Sequence, residues 1–156
     1  MITQQLNAIG PGAMIFKVDI KRAFRHIRID PGDIDLLGLN YKGLYLDGTL
    51  PFGFRQGSGF FERLTDAIRF MMKKKGHNGL MNYIDDLLYI STPSKIYKAY
   101  NDLLDLLAKL GLDISKSKLV PPTTVATCLG IQIDTVNFTF SIPTENLHTI
   151  IPTCQA

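Results

Sequence analysis

Two adjacent carboxylates, Asp85 and Asp86, stand between the apolar runs Leu80-Met81-Asn82-Tyr83-Ile84 and Leu87-Leu88-Tyr89-Ile90-Ser91. A third acid, Asp19, interrupts an equally apolar segment, Met14-Ile15-Phe16-Lys17-Val18-Asp19-Ile20. Bare charge among apolar side chains costs several kcal/mol or more unless it is neutralised or binds a cation. An Asp-Asp pair by itself is most often a solvated turn. The apolar flanks argue for more than a turn, and a divalent metal accounts for both segments.

The runs on either side of the acids are rich in aromatic and β-branched residues, and aspartate tolerates turns, so residues 80–91 read as a tight β-hairpin with the carboxylates at its tip. Residues 14–20 read as a buried central strand that carries Asp19 near its C-terminal end. If that strand pairs beside the hairpin, three carboxylates converge on one point. An all-oxygen site of that kind suits Mg²⁺, with waters and substrate phosphates completing the shell. Two such ions can serve an in-line phosphoryl displacement by a 3′-hydroxyl, which is polymerase chemistry.

The rest of the chain supplies an α+β frame. Leu36 to Leu46, with a turn at Lys42-Gly43, predicts a second hairpin. Phe60, Phe61, Leu64, Ala67, Ile68 and Met71 recur at helical spacing over about residues 59–72, and Lys73-Lys74-Lys75-Gly76 closes that helix. A second helix is expected from about Lys95 to Leu110, capped by Ser94 and ended by Gly111, with Ile96, Tyr100, Leu103, Leu104, Leu107 and Leu110 facing the core. Strands at 127–133 and 138–142 then form a last hairpin around Asp134-Thr135-Val136-Asn137. The order strand, hairpin, helix, hairpin, helix, hairpin predicts an antiparallel sheet with helices packed on one face.

With 156 residues, 46% of them hydrophobic, the chain forms a single domain spanning 1–156 with one sizeable core. No apolar run approaches the ~20 residues that span a bilayer. The N-terminus lacks the apolar core of a signal peptide, so a soluble intracellular protein of cytoplasm or nucleus, with no membrane partner, is expected. Cys128 and Cys154 are too few for a disulfide framework, and no Cys/His cluster has zinc spacing. A net charge of +3 permits nucleic-acid binding without demanding it.

Five segments, in order, carry a family resemblance. Phe16-Lys17-Val18-Asp19-Ile20-Lys21-Arg22-Ala23-Phe24-Arg25-His26-Ile27-Arg28-Ile29 resembles the first palm motif of reverse transcriptases, Leu50-Pro51-Phe52-Gly53-Phe54-Arg55 the second, and Tyr83-Ile84-Asp85-Asp86 the third. Leu110-Gly111-Leu112-Asp113 with Lys116 and Lys118 is similar to the fourth, and Cys128-Leu129-Gly130-Ile131 to the primer-grip hairpin. The Gly10-Pro11-Gly12 lead-in, Pro121-Pro122-Thr123-Thr124 and Leu129 to Thr135 look most like retrotransposons of the DIRS and Ngaro kind.

The resemblance implies an RNA-directed DNA polymerase palm, with part of the fingers and a primer-grip-like hairpin, acting on dNTP and a primed RNA or DNA template. Asp19, Asp85, Asp86 and the backbone carbonyl of Ile20 would hold two Mg²⁺ ions, for which Mn²⁺ could substitute. The N–H groups of Arg22 and Ala23 would face the triphosphate, Phe24 would exclude a ribose 2′-hydroxyl, and Phe52-Gly53 would line the nucleotide pocket. Phe24 is equally a core phenylalanine on composition alone. Lys118 would donate a proton to pyrophosphate, with Lys116 a competitor and a plain surface lysine the simpler alternative. Arg55, Tyr83, Leu129 and Gly130 would touch template or primer, and a solvated helix end rivals phosphate contact at Lys73 to Lys75. Gly57-Ser58 departs from the family's usual small residue followed by proline, which implies a looser loop into the helix.

A fingers segment and a thumb are expected outside this stretch, as are an RNase H and a recombinase or integrase in the full polyprotein, so weak or no activity is expected of the fragment alone. Phe24 argues against an RNA-dependent RNA polymerase, which would want a polar 2′-hydroxyl reader there. A phosphoacceptor signalling domain would need alternating parallel β/α units. The remaining alternative is an inactive retroelement remnant that keeps the fold and binds nucleic acid.

Overall fold

A computed structural model describes residues 2–143. In chain order its elements are helix α1 (Ile2–Ile9), strand β1 (Met14–Asp19), the short strands β2 (Gly38–Asn40) and β3 (Leu44–Leu46), helix α2 (Gly57–Lys74), strands β4 (Leu80–Tyr83) and β5 (Asp86–Ser91), helix α3 (Pro93–Lys109), and strands β6 (Val120–Thr123), β7 (Val125–Cys128), β8 (Ile131–Asp134) and β9 (Thr139–Ser141). Short 3₁₀ turns occupy Ala23–His26 and Ile34–Leu37.

The centre is an antiparallel sheet in the order β4-β5-β1-β6. Strand β1 is central because its residues are apolar on both faces, with Ile15 on one and Phe16 and Val18 on the other, and only Lys17 and Asp19 interrupt the run. On one face Phe16, Val18, Leu87, Tyr89 and Leu80 pack against α2 and α3. On the other, Ile15, Met81, Leu88 and Ile90 meet Leu6 of α1 together with Ala126, Cys128 and Ile133 of β7 and β8. The expected helices-on-one-face arrangement therefore holds for α2 and α3, with α1 and the β7-β8-β9 sheet added behind.

Several boundaries depart from expectation for physical reasons. The hairpin turn is Ile84-Asp85, while Asp86 opens β5 and pairs with Tyr83, so only one of the two acids lies in the turn. Helix α3 starts earlier than expected: Thr92, with extended dihedrals, is the N-cap in place of Ser94, and Pro93 supplies the preset φ of a first helical residue. Its core face uses Leu106, whereas Leu110 is exposed. In α2 the buried stripe is Gly57, Phe61, Thr65, Ile68 and Met72, leaving Phe60 and Ala67 outside. Thr65 can be buried because its hydroxyl donates to the Glu62 carbonyl and accepts from Asn82 of β4. The segment 127–133 is two strands, divided by Leu129 and Gly130 with φ of +52° and +78°. Cys154 lies outside the described residues.

On the helical face, His77 Nε2 lies 2.7 Å from Asp102 Oδ2 and Lys75 Nζ 3.8 Å from Asp102 Oδ1, tying the end of α2 to α3. The His77 hydrogen bond, reinforced by the charges of Lys75, His77 and Lys98, holds the Asp102 carboxyl below its ordinary value of 3.8. A depressed carboxylate stabilises the fold above that ordinary value and loses the effect as pH falls through its folded value. Asp102→Asn should thus lower the melting temperature by a few degrees at neutral pH, as fits a partly exposed pair. Thermal unfolding followed down to about pH 2 should show the difference closing.

Candidate active site

Strand register puts the acids together. Asp19 is the last residue of β1 and lies directly opposite Asp86, the first of β5. Opposed residues of an antiparallel pair point to the same side, so both carboxylates share the face away from α2 and α3. The Ile20 N–H donates to the Asp85 carbonyl at 3.0 Å, clamping the turn to the end of β1. Within that turn Ile84 adopts φ +53°, a left-handed conformation that a β-branched residue adopts only at a cost of roughly 1–3 kcal/mol. The two flanking ladders and the Ile20 bond hold it there.

The segment after α3 crosses the end of β1. Lys21 N–H donates to Asp113 at 2.8 Å and Ser115 N–H to the Asp19 carbonyl at 2.9 Å, followed by a turn in which Lys118 N–H donates to Ser115. This path delivers Lys118, not Lys116, to the acids. Its ammonium is 3.1 Å from Asp19 Oδ2, and that hydrogen bond, with the charge of Asp19, raises the pKa of Lys118. Lys17 of β1 makes the equivalent contact with Asp86, at 3.4 Å from Oδ1. Lys17 is absent from the site residues expected of the sequence, although strand alternation places it on the face of Asp19.

Burial is the main reason the Asp86 carboxyl titrates above its ordinary value; Lys17 opposes the shift, and the charges of Asp85 and Asp19 add to it. Among the described residues no group of three His, Cys, Asp or Glu side chains is gathered closely enough to hold an ion. Two of the carboxylates are drawn to lysines, Asp86 to Lys17 and Asp19 to Lys118, while the charges of Asp19, Asp85 and Asp86 act together on Lys118. The donor set still suits a hard divalent cation: oxygens only, like charges crowded together, and ammonium groups already standing where positive charge is demanded.

Around the acids, Arg22 at φ +55° turns the chain into the 3₁₀ segment that carries Phe24. The Phe24 ring meets Phe52 edge-on at 5.4 Å and Phe61 at 5.8 Å, so Phe24 and Phe52 are brought together while Ala23 is buried. Phe52 is exposed, next to Gly53 at φ +84°, and Arg55 is exposed before α2. A cavity of about 450 Å³ separates the Asp85 hairpin from the Leu129-Gly130 turn and is lined by Lys17, Tyr83, Asp86, Cys128 and Leu129. Burial there raises the Cys128 thiol to about 11, which keeps it protonated and unreactive.

Solved structures share this fold. The foamy viral protease-reverse transcriptase in complex with dsDNA superposes with a TM-score of 0.79 at 18% identity, covering 97% of this chain and 31% of that one. The same enzyme in complex with an RNA/DNA hybrid gives 0.76 at 18% identity, over 94% and 20% of the two chains. The chain thus spans less than a third of the length of these relatives. No curated protein sequence matches. No helix among the described residues is long and apolar enough to cross a membrane. The sequence profile of the reverse transcriptase (RNA-dependent DNA polymerase) family matches residues 2–133, which is most of the chain and contains every motif from Asp19 to Leu129-Gly130; the chain belongs to that family.

Proposed function

We propose that this chain is the palm of a polymerase that extends a primer 3′-hydroxyl with dNTP on an RNA or DNA template. The observation that carries the reading is the register that sets Asp19 opposite Asp86, with Asp85 clamped beside them by Ile20. Asp19, Asp85 and Asp86, with the Ile20 carbonyl, would hold two Mg²⁺ ions. When bound, such ions lower the barrier by activating the attacking hydroxyl and stabilising the leaving oxygen.

The protein's own groups do the rest. The 3′-hydroxyl gives its proton to water as its oxygen forms a bond to the α-phosphorus, the bond from that phosphorus to the oxygen bridging the β-phosphate breaks, and pyrophosphate leaves. Lys118 carries a proton held by its bond to Asp19, and its side chain is 62% exposed, so it can swing from Asp19 to the departing pyrophosphate. Arg22 and Ala23 N–H groups face the triphosphate, and Phe24 with Phe52-Gly53 bounds the sugar and base. Arg55, Tyr83, Leu129 and Gly130 contact template and primer. The matched structures hold dsDNA or an RNA/DNA hybrid, which supports nucleic acid as the partner here. The Gly10-Pro11-Gly12 and Pro121-Pro122 segments support a place among DIRS- and Ngaro-like retrotransposons, with an RNase H and a recombinase or integrase in the same polyprotein.

The test is primer extension on an RNA template with dNTP, by this segment set in a polymerase with fingers and thumb. Extension with Mg²⁺ and none with chelator is expected. No extension under any divalent metal would leave a nucleic-acid-binding remnant.

A further inference from the structure

The two strand-end acids are neutralised by lysines of different character. Lys118 reaches Asp19 from outside the sheet and is mostly solvated. Lys17 is built into β1, its side chain 17% exposed, and its ammonium straddles both oxygens of Asp86 at 3.4 and 3.5 Å. The register explains the contact: Lys17 opposes Leu88 and Asp19 opposes Asp86, so Lys17 and Asp86 are diagonal neighbours on one sheet face. Lys118 can leave for water. Lys17 is held more closely, because most of its side chain is covered and its ammonium is shared between both Asp86 oxygens.

We propose that Lys17 is a tethered counter-cation that competes with a divalent ion for Asp86, holding the carboxylate in place when the ion is absent and weakening the ion's hold when it is present. This rests on the reading of Asp19, Asp85 and Asp86 as the ion site. The site becomes asymmetric, with Asp19 shedding its lysine more readily than Asp86. A fixed unit charge several ångströms from a divalent ion, even at the dielectric of water, changes affinity on the order of tenfold. Lys17 therefore tunes ion affinity through its charge.

The experiment is Mn²⁺ binding to this 156-residue chain, read from the electron paramagnetic resonance of the free ion and from the Mn²⁺-dependent rise in melting temperature. Lys17→Met keeps the apolar stem and removes the charge, and its dissociation constant should fall about tenfold with a larger thermal shift. Lys17→Arg should retain the parent affinity. A lysine that only builds the sheet, or that aims Asp86 at the ion, would give unchanged or weaker binding in Lys17→Met, and either result overturns the proposal. Should the Met variant fail to fold, Lys17→Gln takes its place: tighter binding supports the proposal, and unchanged or weaker binding overturns it. A parent that binds no Mn²⁺ overturns the ion-site reading along with this one, whereas parent binding without tightening in the variant overturns this one alone.

Discussion

Asp85→Asn should reduce primer extension on the order of a thousandfold while leaving the fold at least as stable. The amide keeps the size of the side chain and removes one unit of charge from a site that must neutralise two divalent ions, so the loss falls on the transition state. Stability moves the other way. Burial, together with the charges of Asp85 and Asp19, pushes the Asp86 carboxyl above its ordinary value of 3.8. A carboxyl raised in the folded state makes stability fall as pH rises through the window above that value, because the folded form holds the proton more tightly than the unfolded one. Taking away the Asp85 charge narrows that window. The variant should melt at the parent's temperature or higher at neutral pH, with the difference shrinking as pH falls past 3.8 and Asp86 becomes protonated in both states. Asp85 suits the test better than Asp86, whose replacement would strand Lys17. Retained extension would remove the carboxylate from the mechanism, and loss of extension together with a collapsed melting temperature would mark Asp85 as structural.

The parts of the site that are legible in the sequence are those whose structure is local. Residues 80–91 announce a hairpin because β-branched and aromatic runs flank a turn-tolerant pair, and β1 announces itself by an apolar run with two interruptions. The turn falls one residue earlier than expected since Asp86 pairs with both Tyr83 and Asp19, and the second pairing is tertiary. Helix α1 is hard to see in the sequence because only Ile2, Leu6 and Ile9 stand out as large apolar residues among polar neighbours, and it is held by the back face of the sheet more than by its own propensity. Strand β6 contains Pro121 and Pro122, which argue against any strand that must donate on both sides. It is tolerated as the sheet edge, with a register shift between Ile15 and Lys17, and whether a strand is an edge is not written in its own residues. The break at Leu129 is legible only through the resemblance of Cys128-Leu129-Gly130-Ile131 to a primer-grip hairpin: a leucine at positive φ is unfavourable alone, and the Cys128–Ile131 pairing imposes it. The Lys17–Asp86 contact depends on the register of two strands far apart in sequence.

Phe24→Val should relax sugar selection more than it slows synthesis. The ring stands between the fully buried Phe61 of α2 and the exposed Phe52, so one side is anchored in the core and the other meets an exposed ring. Exclusion by a ring works through overlap with an added atom and not through a hydrogen bond, so shortening the side chain admits the larger sugar without removing a contact that the smaller one needs. Single-nucleotide incorporation, measured with matched dNTP and ribonucleotide, should show discrimination falling by about tenfold or more while kcat/KM for the dNTP stays within a few-fold. The partly buried site makes the cost in stability modest, about 1–2 kcal/mol, since only a fraction of the ring leaves a cavity. Equal losses with both nucleotides would assign Phe24 to packing, because disturbance of the edge-to-face Phe52–Phe24–Phe61 cluster would displace the pocket for either sugar. A selective gain for the ribonucleotide cannot arise that way, for damage to the frame carries no information about a single hydroxyl.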